Sequence, residues 1–359
     1  MEDTSYIFHQ AVRSNNLEKV KKLLSEGVHP DEPNWINNGR PALLEATYQG
    51  NVDMVEILLN ADADPNIQNM LGETALHNAF HPKTFSKELV VLLLEHGADV
   101  NVREKLNGYT PVHMVVKLCA SHVSKGIKTS LLKVLQLMCA KADVKIRSVR
   151  NETALHRMTT GSVDWCEPLQ ILIDHGFDLN AQNDRGETGL MCSIDKRHCM
   201  MAELLVKKGA EVNIKDRHFQ TALHHSAQKN LLRLVILLLD VQCDANATDL
   251  NGDTALHIAA SKGLVDMVQV LVSHPGIDAN IQNIVGSTPL LHAVESGFTQ
   301  VVELLLEAYC DSDCEKCLLS AIDVAEENSA RRWHPEIYSL LQVALEQKRD
   351  LWDEGETSL

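Results

Sequence analysis

The phrase TALH stands at Thr74, Thr153, Thr221 and Thr254, with TPVH at Thr110 and the looser TGLM and TPLL at Thr188 and Thr288. These threonines are 36, 43, 35, 33, 33 and 34 residues apart. A period of this size is one supersecondary unit that cannot bury its apolar face alone, so the chain must stack unit on unit. The repeat therefore overrides the two or three domains that 359 residues would otherwise suggest. In the Thr254 unit, Leu256, Ala259 and Ala260 fall on one face of a short first helix. Gly263 ends that helix, and Leu264, Met267, Val268, Leu271 and Val272 line a second one before HPGIDANIQN leads out into an extended hairpin.

The residues around the phrase identify the repeat type. GETALHNA, GYTPVHMV, NETALHRM and GDTALHIA resemble the ankyrin phrase G-x-T-P-L-H-x-A, and HGADVN at His96, HGFDLN at His175 and KGAEVN at Lys208 resemble the end of an ankyrin repeat. The resemblance implies an all-α fold, an ankyrin-repeat solenoid of about ten helix-turn-helix-hairpin units spanning 1–349. Repeats open near 39, 72, 108, 151, 186, 219, 252 and 286, degenerate capping repeats occupy about 5–36 and 315–349, and 350–359 reads as an acidic flexible tail. Three consecutive repeats carry extra residues between their helices, FHPKTFSKE, KLCASHVSKGIKTS and MTTGSVDWCEP, which should lie side by side along one edge.

Charge and composition limit the chemistry. A net charge of -16 repels a phosphate backbone, which excludes nucleic acid as the expected partner and favours a basic protein. The first residues, MEDTSYIFHQ, show no signal peptide, and no apolar run reaches the ~20 residues of a membrane span. Nine scattered cysteines, an odd number, fit a reduced interior, so the expected location is cytoplasmic or nuclear. In CDSDCEKC, Cys310, Cys314 and Cys317 could begin a zinc site with His334, but the four-ligand spacing is missing and small buried thiols are expected instead. No metal and no cofactor is expected.

By the same resemblance, His77, His113, His156, His224 and His257 are structural: each ring hydrogen-bonds the threonine that starts its helix. His96, His175 and His274 sit near second-helix ends, where the dipole favours a cation. The remaining histidines form neither a Ser-His-Asp nor an H-E-x-x-H pattern, so no catalytic residue is expected.

Ankyrin proteins grip partners with hairpin tips and the exposed face of the first helices. The tips here carry Met70, Leu71, Leu106, Tyr109, Phe219, Leu250, Ile284 and Val285, a repeated apolar row of the kind used for binding, with Arg185, Arg217 and Asn251 as polar rim. Asn101, Asn180 and Asn213, each with a leucine eight residues back, resemble the target of the asparaginyl hydroxylase that modifies many ankyrin proteins. ETSL matches a PDZ ligand, with Thr357 and Leu359 as its determinants. The reading is a non-enzymatic protein-protein interaction scaffold or adaptor. Two other binding roles follow from the resemblance. One is a substrate receptor of a cullin-type ubiquitin ligase, although the leucine- and proline-patterned box is missing after Ser329; the other is an inhibitor masking a basic transcription factor.

Overall fold

The computed structural model describes residues 4–32, 40–122, 124–308, 315–328 and 334–356. The chain divides into two compact units, Met1–Asp184 and Arg185–Leu359. Unit 1 holds five helix pairs: α1 (Thr4–Arg13) with α2 (Leu17–Ser25), α3 (Ala42–Tyr48) with α4 (Val52–Asn60), α5 (Ala75–Asn78) with α6 (Lys87–Glu95), α7 (Pro111–Cys119) with α8 (Lys125–Cys139), and α9 (Ala154–Thr159) with α10 (Cys166–Asp174). Unit 2 holds five more: α11 (Gly189–Asp195) with α12 (Cys199–Lys207), α13 (Ala222–Gln228) with α14 (Leu232–Asp240), α15 (Ala255–Ser261) with α16 (Val265–Val272), α17 (Pro289–Ser296) with α18 (Thr299–Ala308), and α19 (Glu315–Asn328) with α20 (Pro335–Glu356). Among the described residues there is no strand: the expected hairpins are turns. This is an all-helical repeat solenoid.

The first helices α5, α7, α9, α11, α13, α15 and α17 each start at a threonine N-cap, whereas α3 starts at Pro41 with no side-chain cap. In α15, Thr254 Oγ1 accepts from His257 N–H at 3.4 Å, while His257 Nδ1 accepts from Thr254 N–H at 3.1 Å. The same reciprocal box starts α5, α7, α9 and α13. Such a cap contributes about 1 kcal/mol, a large fraction of what a helix of two turns can supply. The rest comes from stacking. Leu256, Ala259, Met267, Val268 and Leu271 are fully or almost fully buried, and alanine on the first helix lets neighbouring helices approach closely.

The insertions have three different fates. The first becomes a loop in which Phe80 and Phe85 stack at 6.3 Å between centroids. The second is largely absorbed into α8, which reaches 15 residues. The third crosses to the second: Ser162 N–H donates to the Ala120 carbonyl at 2.7 Å, and Lys128 Nζ lies 4.6 Å from the centroid of the Trp165 ring.

Two expectations need correction. α20 runs to Glu356 through the start of the expected flexible tail, because no glycine or proline interrupts 336–354 and Leu, Glu, Gln, Lys and Arg favour helix. Cys317 is half-buried and disulfide-bonded, not a free buried thiol; Cys310 and Cys314 lie outside the described residues. Cys243 does take the small-residue position of Ala98, and both are buried. Burial pushes the thiols of Cys119 and Cys139 up to about 12 and that of Cys243 up to about 11, which makes them inert.

Candidate partner-binding surface

The tip turns after Asn69, Glu104, Ser148, Asp216, Asp249 and Asn283 are each organised by that side-chain acceptor, placed just before the turn. Asn69 Oδ1 accepts from the N–H groups of Leu71 and Glu73 at 2.9 and 3.0 Å. Asp216, Asp249 and Asn283 do the same two and four residues on, and Glu104 takes the N–H groups of Leu106, Asn107 and Tyr109. These are Asx-type turns, which is why Asn and Asp recur five residues before the threonine. Successive tips then bond to each other through the backbone. In unit 1, Lys105 N–H donates to Leu71 O at 2.8 Å and Val149 N–H to Asn107 O at 2.7 Å. In unit 2, Arg217 N–H donates to Arg185 O at 3.0 Å, Leu250 N–H to His218 O at 2.9 Å and Ile284 N–H to Asn251 O at 2.9 Å.

Because backbone groups satisfy the tips, their side chains are left outward. Met70, Leu71 and Leu106 are exposed in unit 1; Phe219, Leu250, Ile284 and Val285 are exposed in unit 2, with Val285 at 79%. Sequence reading missed Val149, exposed at 62% on the tip of unit 1 where the phrase NETALH opens. Tyr109 is a correction. It is half-buried, donates its hydroxyl to Glu152 at 3.2 Å and carries the Arg157 guanidinium 4.9 Å from its ring centroid, so it packs onto the next repeat and does not stand exposed like the other tip side chains. Arg185 is tied to Glu187 at 3.0 Å, whereas Arg217 and Asn251 are exposed.

One tip is strained. At the residue that closes each turn, Gly72, Gly108, Gly186, Gly252 and Gly286 have φ between 69° and 80°, and Asn151 has φ 59°. The equivalent residue of the Thr221 repeat is Phe219, at φ 61° and 52% exposed. A bulky aromatic in the left-handed region costs about 1 kcal/mol that glycine would not.

The histidines join repeats as well as turns. His77 Nε2 donates to Tyr109 O at 3.1 Å, His224 Nε2 to Asp253 O at 3.0 Å and His257 Nε2 to Ser287 O at 3.1 Å, each the residue before the next threonine. Since Nδ1 accepts from the threonine N–H, Nε2 carries the only proton and the ring is neutral. Burial lowers the pKa of all three. His113 makes the threonine contact, and burial pushes it down to about 4 against the opposing pull of the Glu152 backbone. His156 accepts from Thr153 N–H at 3.3 Å. His96 and His175 instead bond back through Nδ1 to carbonyls of their own helices, at 2.9 and 2.8 Å, and His274 Nδ1 accepts from Gly276 N–H at 3.3 Å.

His225, the second histidine of TALHH, was not singled out by sequence. It is buried between Asp195, 3.1 Å from Nδ1, and Asp216, 3.2 Å from Nε2. Both nitrogens donate, so the ring is an imidazolium. Burial alone would lower its pKa, but the bonds to the two carboxylates outweigh it and raise the pKa to about 9.

The closing asparagines are pinned to the next repeat. Asn101 Oδ1 accepts from Asp143 N–H at 2.7 Å and its Nδ2 donates to Lys141 O at 3.2 Å; Asn213 Oδ1 accepts from Asp244 N–H at 2.8 Å. Asn180 is exposed, and its N–H donates to Asp178 at 2.9 Å. Thr357 and Leu359 lie outside the described residues, as does the repeat boundary at residue 39. Among the described residues no His, Cys, Asp and Glu cluster could hold a metal, and no helix is long and apolar enough to cross a membrane.

Stacked helix pairs with an exposed apolar row and no cluster of reactive groups among the described residues define a helical repeat protein built to bind other proteins. The ankyrin-repeat signature matches residues 8–104, 118–216 and 223–316, and the chain belongs to the ankyrin-repeat family. It is 34% identical over 139 residues to ankyrin repeat and SAM domain-containing protein 6 of Rattus norvegicus, a match covering 38% of this chain and 14% of that protein. It is 31% identical over 181 residues to the ankyrin repeat protein FPV031 of fowlpox virus, covering 50% of each. The chain thus spans half or less of these curated relatives. Among solved structures, the ankyrin repeat domain of Bcl-3, a member of the IkappaB protein family, matches with a TM-score of 0.49 at 25% identity, over 75% of this chain and 99% of that one.

Proposed function

We propose that this chain is a non-enzymatic scaffold or adaptor that holds a protein partner through its hairpin tips and first-helix face, inside the cytoplasm or nucleus. The observation that carries the reading is Phe219. An exposed aromatic kept at a left-handed φ, where five equivalent positions are glycine, costs stability and brings no packing to a core. Its gain is a rigid aromatic anchor, the residue type that dominates binding hot spots. Leu250, on the next tip, is exposed beside it in the repeat order, and Arg217 and Asn251 supply polar contacts around them. Turns fixed by Asp216 and Asp249 preorganise these side chains, so little entropy is lost on binding.

Proximity labelling in cells, comparing the intact chain with Phe219→Asp combined with Leu250→Asp, tests this. The double variant should lose a discrete set of labelled proteins. Identical labelled sets would remove the tips from the binding surface.

A further inference from the structure

Two asparagines of the tips stand apart from the others. Asn107 and Asn251 are exposed, and each directly precedes the glycine that closes its turn, Gly108 or Gly252. Among the described residues neither side-chain amide is held by a hydrogen bond, whereas Asn69, Asn101 and Asn246 spend theirs on Glu73, the Lys141 carbonyl and the Gly276 carbonyl. A third Asn-Gly pair, Asn38 and Gly39, lies outside the described residues.

The turn that needs this glycine also makes it reactive. A Cβ at Gly252 would lie 2.8 Å from Ile284 N, so the close approach of the next tip demands glycine at that place. The same missing Cβ leaves the Gly252 nitrogen open to attack the untethered amide carbon beside it. The Asn251 carbonyl, part of the same peptide group, accepts from Ile284 N–H at 2.9 Å, which polarises that group and eases loss of the Gly252 amide proton. One bond has to open, from Gly252 N–H to Asp249 O at 3.0 Å. At the other site the clamp is tighter: Gly108 is buried, and the Glu104 carboxylate holds the N–H groups of Leu106, Asn107 and Tyr109.

We propose that Asn251 is a site of spontaneous deamidation, with Asn107 a slower second one, and that the product remodels the tip surface as the chain ages. The Gly252 nitrogen, having lost its proton, bonds to Asn251 Cγ; the Cγ–Nδ2 bond breaks and Nδ2 leaves as ammonia, taking up a proton, which closes a succinimide. Water then adds to either ring carbonyl. Opening on one side gives aspartate, and opening on the other gives isoaspartate, in which the main chain runs through Cβ and Cγ. Neither step needs an oxidant, a metal or an enzyme. Both products set a carboxylate between Leu250 and Ile284, exposed at 58% and 74%, where a partner that covers these side chains would have to desolvate a charge. Isoaspartate also lengthens the backbone by one carbon and displaces the carbonyl that Ile284 N–H uses. The effect on binding rests on the tips being the partner surface; the chemistry at Asn251 does not.

The test is peptide mass mapping of the purified full chain after storage at physiological temperature and neutral pH, with isoaspartate read by methyl transfer from labelled S-adenosylmethionine by an isoaspartate methyltransferase. The Asn251 peptide should gain one mass unit, faster in mildly alkaline than in mildly acidic buffer, and about threefold or more faster than the Asn107 peptide, because its turn opens more readily. Isoaspartate should appear with aspartate, and Asn251→Gln should abolish the signal there. No gain at Asn251, a gain no faster than at Asn107 or Asn101, or aspartate without isoaspartate overturns the proposal. In cells, Asn251→Asp, which carries the product charge, should lose the labelled proteins that Phe219→Asp with Leu250→Asp loses, and Asn251→Gln should keep them. If Asn251→Asp keeps them, the effect on binding is overturned. If the double variant loses none, the tip reading fails and deamidation at Asn251 is still decided by the mass map.

Discussion

His225 Nε2 donates to Asp216 Oδ2 at 3.2 Å, and the other oxygen of the same carboxylate accepts from His218 and Gln220 N–H, on either side of Phe219. A buried imidazolium therefore anchors the turn that displays the strained aromatic. Asp195 and Lys229 extend the arrangement, at 3.1 Å from His225 and 3.5 Å from Asp195.

This anchor has a defined alkaline limit. The folded pKa of His225, about 9, lies above its ordinary value of 6.5, so its stabilisation is complete below 6.5 and is lost as pH rises through about 9. The loss is of order 3 kcal/mol. Urea denaturation of unit 2 at pH 6 and pH 10 should show this decline, and His225→Gln should flatten it. An equal decline in the variant would assign it elsewhere.

On the acid side the neutral bracket histidines dominate. His113 has a folded pKa of about 4 against 6.5, so its stabilisation is present above 6.5 and is withdrawn as pH falls toward 4. His77, His224 and His257 are lowered in the same direction by burial. Protonation puts a hydrogen on Nδ1, against the threonine N–H it must accept. Stability should fall between pH 6.5 and 4 before the carboxylates titrate, and His113→Asn should remove part of that slope in unit 1.

Phe219→Gly should stabilise the protein by about 1 kcal/mol while weakening the partner held by the tips. Thermal unfolding and a pull-down read the two effects separately. A destabilised variant would show that the ring contributes packing and not binding.

Gly161→Ala should destabilise unit 1 by roughly 1–3 kcal/mol, because the added methyl would meet Ala120 Cβ at 2.2 Å. Hydrogen exchange at Ser162, whose N–H donates to Ala120, should accelerate. Unchanged protection would mean that the two insertions yield without cost.

Hydroxylation of Asn101 and Asn213 requires opening of an amide pinned to the next repeat. A mass gain of one oxygen should appear on the Asn101, Asn180 and Asn213 peptides in cells with the hydroxylase active. Its complete absence from all three peptides would dispose of the modification.

The sequence by itself determined what is local or periodic: the period, the threonine caps, the helix pairs and the tips. These depend on contacts two to four residues apart or on a spacing that repeats, as in the box of Thr254 and His257 or the Asx turn of Asn69. Only tertiary structure decided which groups meet across repeats. His225 finds Asp195 30 residues earlier, His257 finds Ser287 30 residues later, and Tyr109 is drawn onto Glu152. The physical reason is the same throughout. A repeat's own residues specify its helices, whereas its exposed chemistry depends on which side chains the neighbouring repeats happen to cover.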